Sequence, residues 1–195
     1  MTTREWMDQA TGLFLDALGR LSDDEMDAPT PLPGWTRRHL IAHVHFNASA
    51  LRRLTSWAAT GTEQRMYASP EQRNAEIEQG ATLPSAELRR LVRESASGLA
   101  ADLGALPAGA WQAAVITAQG RTVAATEIPW MRTREVAVHA IDLGAGLTFA
   151  DLPAGLTAAL LADVVRKRAA AGEGPALAAW LTGRAPAAPR LGPWL

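Results

Sequence analysis

Residues 39–59, HLIAHVHFNASALRRLTSWAA, decide how the chain reads. At about 100° per residue, with Leu40 as zero, Val44, Leu51, Leu54 and Ala58 fall within about 40° of one line. That line is the buried stripe of an amphipathic helix. The three histidines of the stretch separate on the same wheel. His43 lies roughly 60° from the centre of the stripe, at its inner margin and beside Asn47. His39 lies near −100°, on the flank, and His45 near 140°, facing away (both about, by the same rotation). Of the three, His43 is the one placed to look into a bundle.

A second stretch, EIPWMRTREVAVHAIDLG at 127–144, carries the other polar residues of interest. Glu135 and His139 stand four residues apart and share a helix face with Ile128, Met131 and Val138, while Trp130 and Ile141 take the other side. Such a helix is buried over most of its surface, where a carboxylate is costly unless paired or bound to a cation. Glu135, His139 and His43 from facing helices make a set of one carboxylate and two imidazoles. Three protein ligands leave coordination positions open, as in a catalytic rather than a structural zinc site. Two other readings fit the same residues: a polar pair hydrogen-bonded within a core, and a metal held by His39 and His43, whose i, i+4 spacing also permits it.

The surroundings are mostly helical. REWMDQATGLFLDALGRL sets Trp6, Leu13, Ala17 and Leu21 at helical spacing and predicts a helix over about 4–21. The proline-rich DAPTPLPGW ends it, Thr36 caps the second helix, and that helix runs to Gly61. PEQRNAEIEQGA predicts a short helix, and a third long one begins near Ser85. AAVITAQGRTVAATE, with β-branched residues on either side of a glycine turn, predicts a short hairpin. The helix of Glu135 and His139 follows, then AGLTAALLADVVRKRAAA, then a tail, GEGPALAAWLTGRAPAAPRLGPWL, of one short helix and proline-rich coil. Four long helices with short connections predict a mainly α protein, an antiparallel four-helix bundle.

Composition narrows the partners. A chain of 195 residues suits one domain with a small appendage. No run of about 18 apolar residues predicts a membrane span. The polar MTTREWMDQA has no basic-then-apolar signal, so a cytoplasmic protein is expected. The net charge of −1 argues against a nucleic-acid partner. There is no cysteine, which excludes disulfides, thiolate ligands and a cysteine nucleophile. Thiol chemistry would need a thiol from outside. Lys167 is the one lysine, and the arginines that make up the other basic residues suit bidentate carboxylate binding.

Three separated motifs, LPGWTRRHLIAHVHFNASALRRL, MYASPEQRNAEIEQGA and IPWMRTREVAVHAIDLG, together resemble the mycothiol-dependent maleylpyruvate isomerase family, in order from about residue 5 to 150. WLTGR near the end resembles the family's C-terminal signature. The resemblance implies a DinB-like metal-binding bundle over residues 1–150 and a shortened C-terminal helical extension over 151–195. It implies metal ligation by His43, Glu135 and His139, with zinc or another divalent ion, and mycothiol as the thiol. It also implies the reaction: the thiolate adds to the cis double bond of an unsaturated acid such as maleylpyruvate, the single bond rotates, and loss of the thiol leaves fumarylpyruvate. Longer family members carry a second α/β domain whose arginine completes the site. Here RKRAAAGEGPALAAW passes from helix to helix, and Arg184, which ends WLTGR, is the candidate catalytic arginine.

Other candidates surround this set. Arg132, Arg134 and Arg73 could bind a substrate carboxylate. Asp142 could orient an imidazole or pair with Arg132. Tyr67 and Asn47 could give hydrogen bonds, and Trp6, Trp57 and Trp130 read as core or pocket wall. Two alternative functions use the same residues: a mycothiol S-transferase that stops at the adduct, and a non-catalytic metal- or ligand-binding bundle. The expected partners are an unsaturated acid and a small thiol, with the protein a monomer or homodimer.

Overall fold

The computed structural model describes residues 2–192. Helix α1, Thr3–Arg20, begins with a capping box: Thr2 Oγ1 accepts from the Glu5 N–H at 3.3 Å and Glu5 Oε2 accepts from the Thr2 N–H at 2.6 Å. Its apolar face, Met7, Ala10, Phe14, Ala17 and Leu18, is buried and packs along α5, Ile128–Asp142.

Helix α2, Arg37–Thr60, is the centre of the bundle and meets α3, Pro70–Ala81, α4, Ser85–Ala105, and α5. It starts at Thr36 and stops where Gly61 takes φ 74°, a left-handed conformation that glycine adopts without steric cost. Leu40, Val44, Leu51 and Leu54 have no exposed surface, so the stripe read from the sequence is the core. Helix α3 follows a Ser69 cap and Pro70 at its first position. Near its end α3 comes unusually close to α2. A Cβ on Gly80 would lie 2.8 Å from Ala42 Cβ and 2.9 Å from Phe46 Cε2, so glycine sets the approach of α3 to α2 beside His43.

The hairpin is β1, Ala114–Ile116, paired antiparallel with β2, Thr122–Ala124, with Val115 opposite Val123. Val115 and the 3₁₀ turn Ala125–Glu127 lead the chain into α5 against the same core.

The chain divides at Thr148 and Phe149 into two compact units. The second contains α6, Ala154–Arg168, and α7, Gly174–Leu181. The sequence predicts that the first of these continues through Ala171. Instead a wider turn over Ala169–Glu173 intervenes, because Gly172 takes φ 90° and breaks the α geometry. Arg168 Nη1 holds Glu173 Oε2 at 2.8 Å and the Gly192 carbonyl at 3.1 Å, which fastens the tail to this unit. No strand lies among its described residues. Residues 193–195 of the expected coil fall outside the described residues. Among the described residues, no helix is long and apolar enough to cross a membrane.

Candidate metal centre

Among the described residues, His43, Glu135 and His139 form a group in which one ligand atom from each lies within 4.8 Å of the others. His43 Nε2 is 2.9 Å from Glu135 Oε2, and His139 Nε2 is 3.4 Å from the same oxygen. The imidazoles meet edge to face with centroids 5.1 Å apart. Helix periodicity explains the meeting: i, i+4 spacing stacks Glu135 and His139 on one face of α5, and the margin of the α2 stripe brings His43 opposite. Side-chain exposures of 7, 17 and 12% leave the three groups nearly dry, so their charges act on one another with little screening.

Neighbours fix the protonation pattern. Burial works to raise the pKa of Glu135, but hydrogen bonds from His139 and His43 hold it well below the usual carboxylate range. Burial works to lower His139, yet Asp142 and Glu135 raise it to about 9. Burial pushes His43 down despite its contact with Glu135. At neutral pH the cluster therefore holds an ionised Glu135, a protonated His139 and a neutral His43.

Asp142 Oδ2 accepts from His139 Nδ1 at 2.9 Å, which directs Nε2 of that ring at Glu135. Of the two roles expected for Asp142, the structure shows the one that orients an imidazole, and pairing with Arg132 is corrected. Arg132 is 1% exposed and donates from Nη1 to the Val44 carbonyl at 2.8 Å and to Asn47 Oδ1 at 3.0 Å, while its buried Nη2 has no hydrogen-bond partner among the described residues. It ties α5 to α2 one turn from the cluster. Asn47 is thereby committed to Arg132.

A proton on His139 occupies the nitrogen that a cation would need. Metal uptake is expected to expel it, so affinity for a divalent ion should rise about tenfold per pH unit from neutrality to about pH 9 and then level. Competition titrations with a chelator across that range measure the slope; affinity flat with pH would contradict this assignment.

His39 is not part of the cluster. Its Nδ1 accepts from the Thr36 N–H at 3.2 Å at the start of α2, and its Nε2 faces Glu78 Oε2 at 3.3 Å. The alternative His39–His43 site is therefore corrected: His39 serves the helix end. His45 Nδ1 lies 3.1 Å from the Leu91 carbonyl on α4.

Arg73 Nη2 stands 3.3 Å from His43 Nδ1. Tyr67 lies close enough to feel the charges of Arg73 and Glu135, and burial pushes its hydroxyl up to about 12, so it remains a proton-bearing donor. Arg53 sits 5.8 Å over the Tyr67 ring and donates to the Met66 carbonyl, clipping this loop to α2. Trp35, which the sequence reading did not single out, places its ring 5.4 Å from that of His43. The signal was the LPGW turn immediately before the cap of α2, where Gly34 takes φ 79°. Trp6 and Trp130 pair at 6.4 Å, and Trp57 packs on the core. Arg134 is half-buried on α5. Arg184 belongs to the second unit, where it is exposed and donates to the Thr182 carbonyl. A cleft of about 520 Å³, lined by Ser49, Arg52, Arg53, Gln64, Asp102 and Leu106 among others, includes none of the three clustered residues. Arg52 pairs with Asp102 in its lining at 2.6 Å.

Fold and site together define a helical bundle with an internal His–Glu–His cluster backed by a second carboxylate. The family model for the mycothiol maleylpyruvate isomerase N-terminal domain matches residues 7–144, and the chain belongs to that family. A solved crystal structure of a mycothiol-dependent maleylpyruvate isomerase is similar at 43% identity and a TM-score of 0.83, covering 87% of this chain and 71% of that one. The structure of a histidine-to-alanine mutant of a mycothiol-dependent maleylpyruvate isomerase is similar at 42% identity, with the same TM-score and coverage. No curated protein matches the chain.

Proposed function

We propose that the protein is a mycothiol-dependent cis–trans isomerase of an unsaturated dicarboxylic acid of the maleylpyruvate type, working with a divalent ion, zinc by its donor set, held by His43, Glu135 and His139. The observation that carries this reading is the convergence of those three donors, with His139 oriented from behind by Asp142. Two imidazole nitrogens and a carboxylate oxygen suit zinc and leave positions for an outside ligand. When bound, the ion would lower the pKa of a coordinating thiol from about 8.5 and so provide a thiolate to add reversibly to the double bond.

The chain's own residues do the rest. Glu135, as the one carboxylate facing both imidazoles, leaves a divalent centre net positive, which favours an anionic sulfur and an anionic acid. Once an ion has displaced the Nε2 proton, Asp142 would keep the remaining proton of His139 on Nδ1 and leave the Nε2 lone pair to the ion. Tyr67 holds a proton beside the site across the working pH range and can donate it in a hydrogen bond to a substrate oxygen. Trp35 walls the His43 side. With no cysteine in the chain, the sulfur must come from the co-substrate.

The test is to incubate metal-loaded protein with maleylpyruvate, with and without mycothiol, and weigh the product. An isomer of unchanged mass, formed only with the thiol, is expected. A product heavier by the thiol would replace isomerisation with S-transfer, and conversion independent of thiol would end the reading.

A further inference from the structure

The geometry points to Arg73 as a substrate-carboxylate residue that is held against His43 until a divalent ion displaces it. This rests on the proposed metal- and thiol-dependent reading and adds to it a substrate-binding residue and the event that frees it.

Arg73 stands in the first turn of α3 and puts Nη2 3.3 Å from His43 Nδ1. A guanidinium has donors and no acceptor. Nδ1 must then be the lone-pair nitrogen of a neutral ring, with the proton on Nε2 and donated to Glu135 Oε2 at 2.9 Å. An ion shared with Glu135 and His139 takes His43 through that same Nε2, because it is the nitrogen facing them. The ring proton then belongs on Nδ1, where it meets the N–H of Arg73. Two donors turned at each other share nothing and repel. Contact with Arg73 and ligation through Nε2 are therefore alternatives, and the exchange moves a proton between ring nitrogens without changing its number.

His139 shows the contrasting case. Its Nδ1 faces an acceptor, Asp142 Oδ2, so loss of the proton on Nε2 is the only change that the ring needs to take an ion there. His43 has a cation there instead.

Once displaced, Arg73 has little to hold it. Nη1 contacts its exposed neighbour Asn74 at 3.2 Å, and no carboxylate among the described residues pairs with it. Arg38 is paired with Asp27 and Arg52 with Asp102, and Arg132 is fixed in the core by the bonds of its Nη1 to Val44 and Asn47. A planar fork with unused donors, beside a centre that has become net positive, matches a carboxylate in bidentate contact. The ligand class is a dicarboxylic acid, one of whose carboxylates lies on Arg73. Binding is ordered, metal before acid.

Calorimetry with fumarate as an unreactive dicarboxylate, in the absence of thiol, tests this. Zinc-loaded protein should bind fumarate at least about tenfold more tightly than metal-free protein, and Arg73→Gln should lose about tenfold or more of the zinc-loaded affinity. Arg73→Lys, which keeps charge without the fork, should lie between. Zinc affinity of Arg73→Gln should equal or exceed that of the unsubstituted protein, since a competitor has been removed. Nitrogen-15 spectra of His43 should show the proton on Nε2 without zinc and on Nδ1 with it. Fumarate binding indifferent to zinc or to Arg73→Gln, zinc affinity weakened in that variant, or a His43 proton that stays in place would each overturn the inference. Intact thiol-dependent isomerisation alongside such results would leave the functional reading standing. Zinc-gated fumarate binding without any isomerisation would sink that reading instead.

Discussion

Glu135→Gln is expected to weaken divalent-metal binding by roughly two to three orders of magnitude and to reduce turnover at least as far. Four-ligand zinc sites gain about 10–16 kcal/mol, so each ligand carries about 3 kcal/mol. Among the described residues, Glu135 is the carboxylate that faces both imidazoles. The amide keeps the size and a carbonyl oxygen for His43, so the bundle should stay folded, which circular dichroism checks. Metal titration of the purified variant gives the affinity. Loss of helicity together with metal binding would make the residue structural, and unchanged affinity would remove it from the site.

Phe14→Ala should cost about 3–5 kcal/mol and lower the melting temperature by roughly 6–20 °C. Phe14 is 1% exposed on the face of α1 that packs along α5, so its loss leaves a cavity under the helix that carries Glu135 and His139. An ion that binds only the folded bundle should return part of the loss. At 100 times its dissociation constant it adds about 2.7 kcal/mol. Melting curves with and without zinc measure both effects. A loss below about 1 kcal/mol would mean that α1 does not support α5 as described.

Much of this was legible in the sequence because helices write their faces at a fixed period. The wheel of α2 separated His43 from His39 and His45, and the structure gives the three residues three different surroundings. Thr36, Gly61, Pro70 and Gly120 punctuate the chain through local backbone chemistry, and the elements begin and end at them or beside them. What stayed hidden depends on how elements meet. Asn47 lies near His43 on the wheel, but nothing local reveals that Arg132 from α5 occupies it. The approach of α3, set by Gly80 against Ala42 and Phe46, decides that Arg73 rather than another arginine reaches His43. Trp35 reaches His43 through a turn whose direction a periodicity cannot express. The early end of α6 depends on one glycine in a left-handed conformation, where the alanines around it favour continuation.

Anomalous diffraction at the zinc edge, from crystals of protein purified without chelator and loaded with one equivalent of zinc, addresses the central claim most directly. One peak is expected, about 2.0–2.2 Å from Nε2 of His43, Nε2 of His139 and a Glu135 oxygen, with at least one further position filled by a non-protein ligand. A peak elsewhere, or four protein ligands closing the shell, would contradict it.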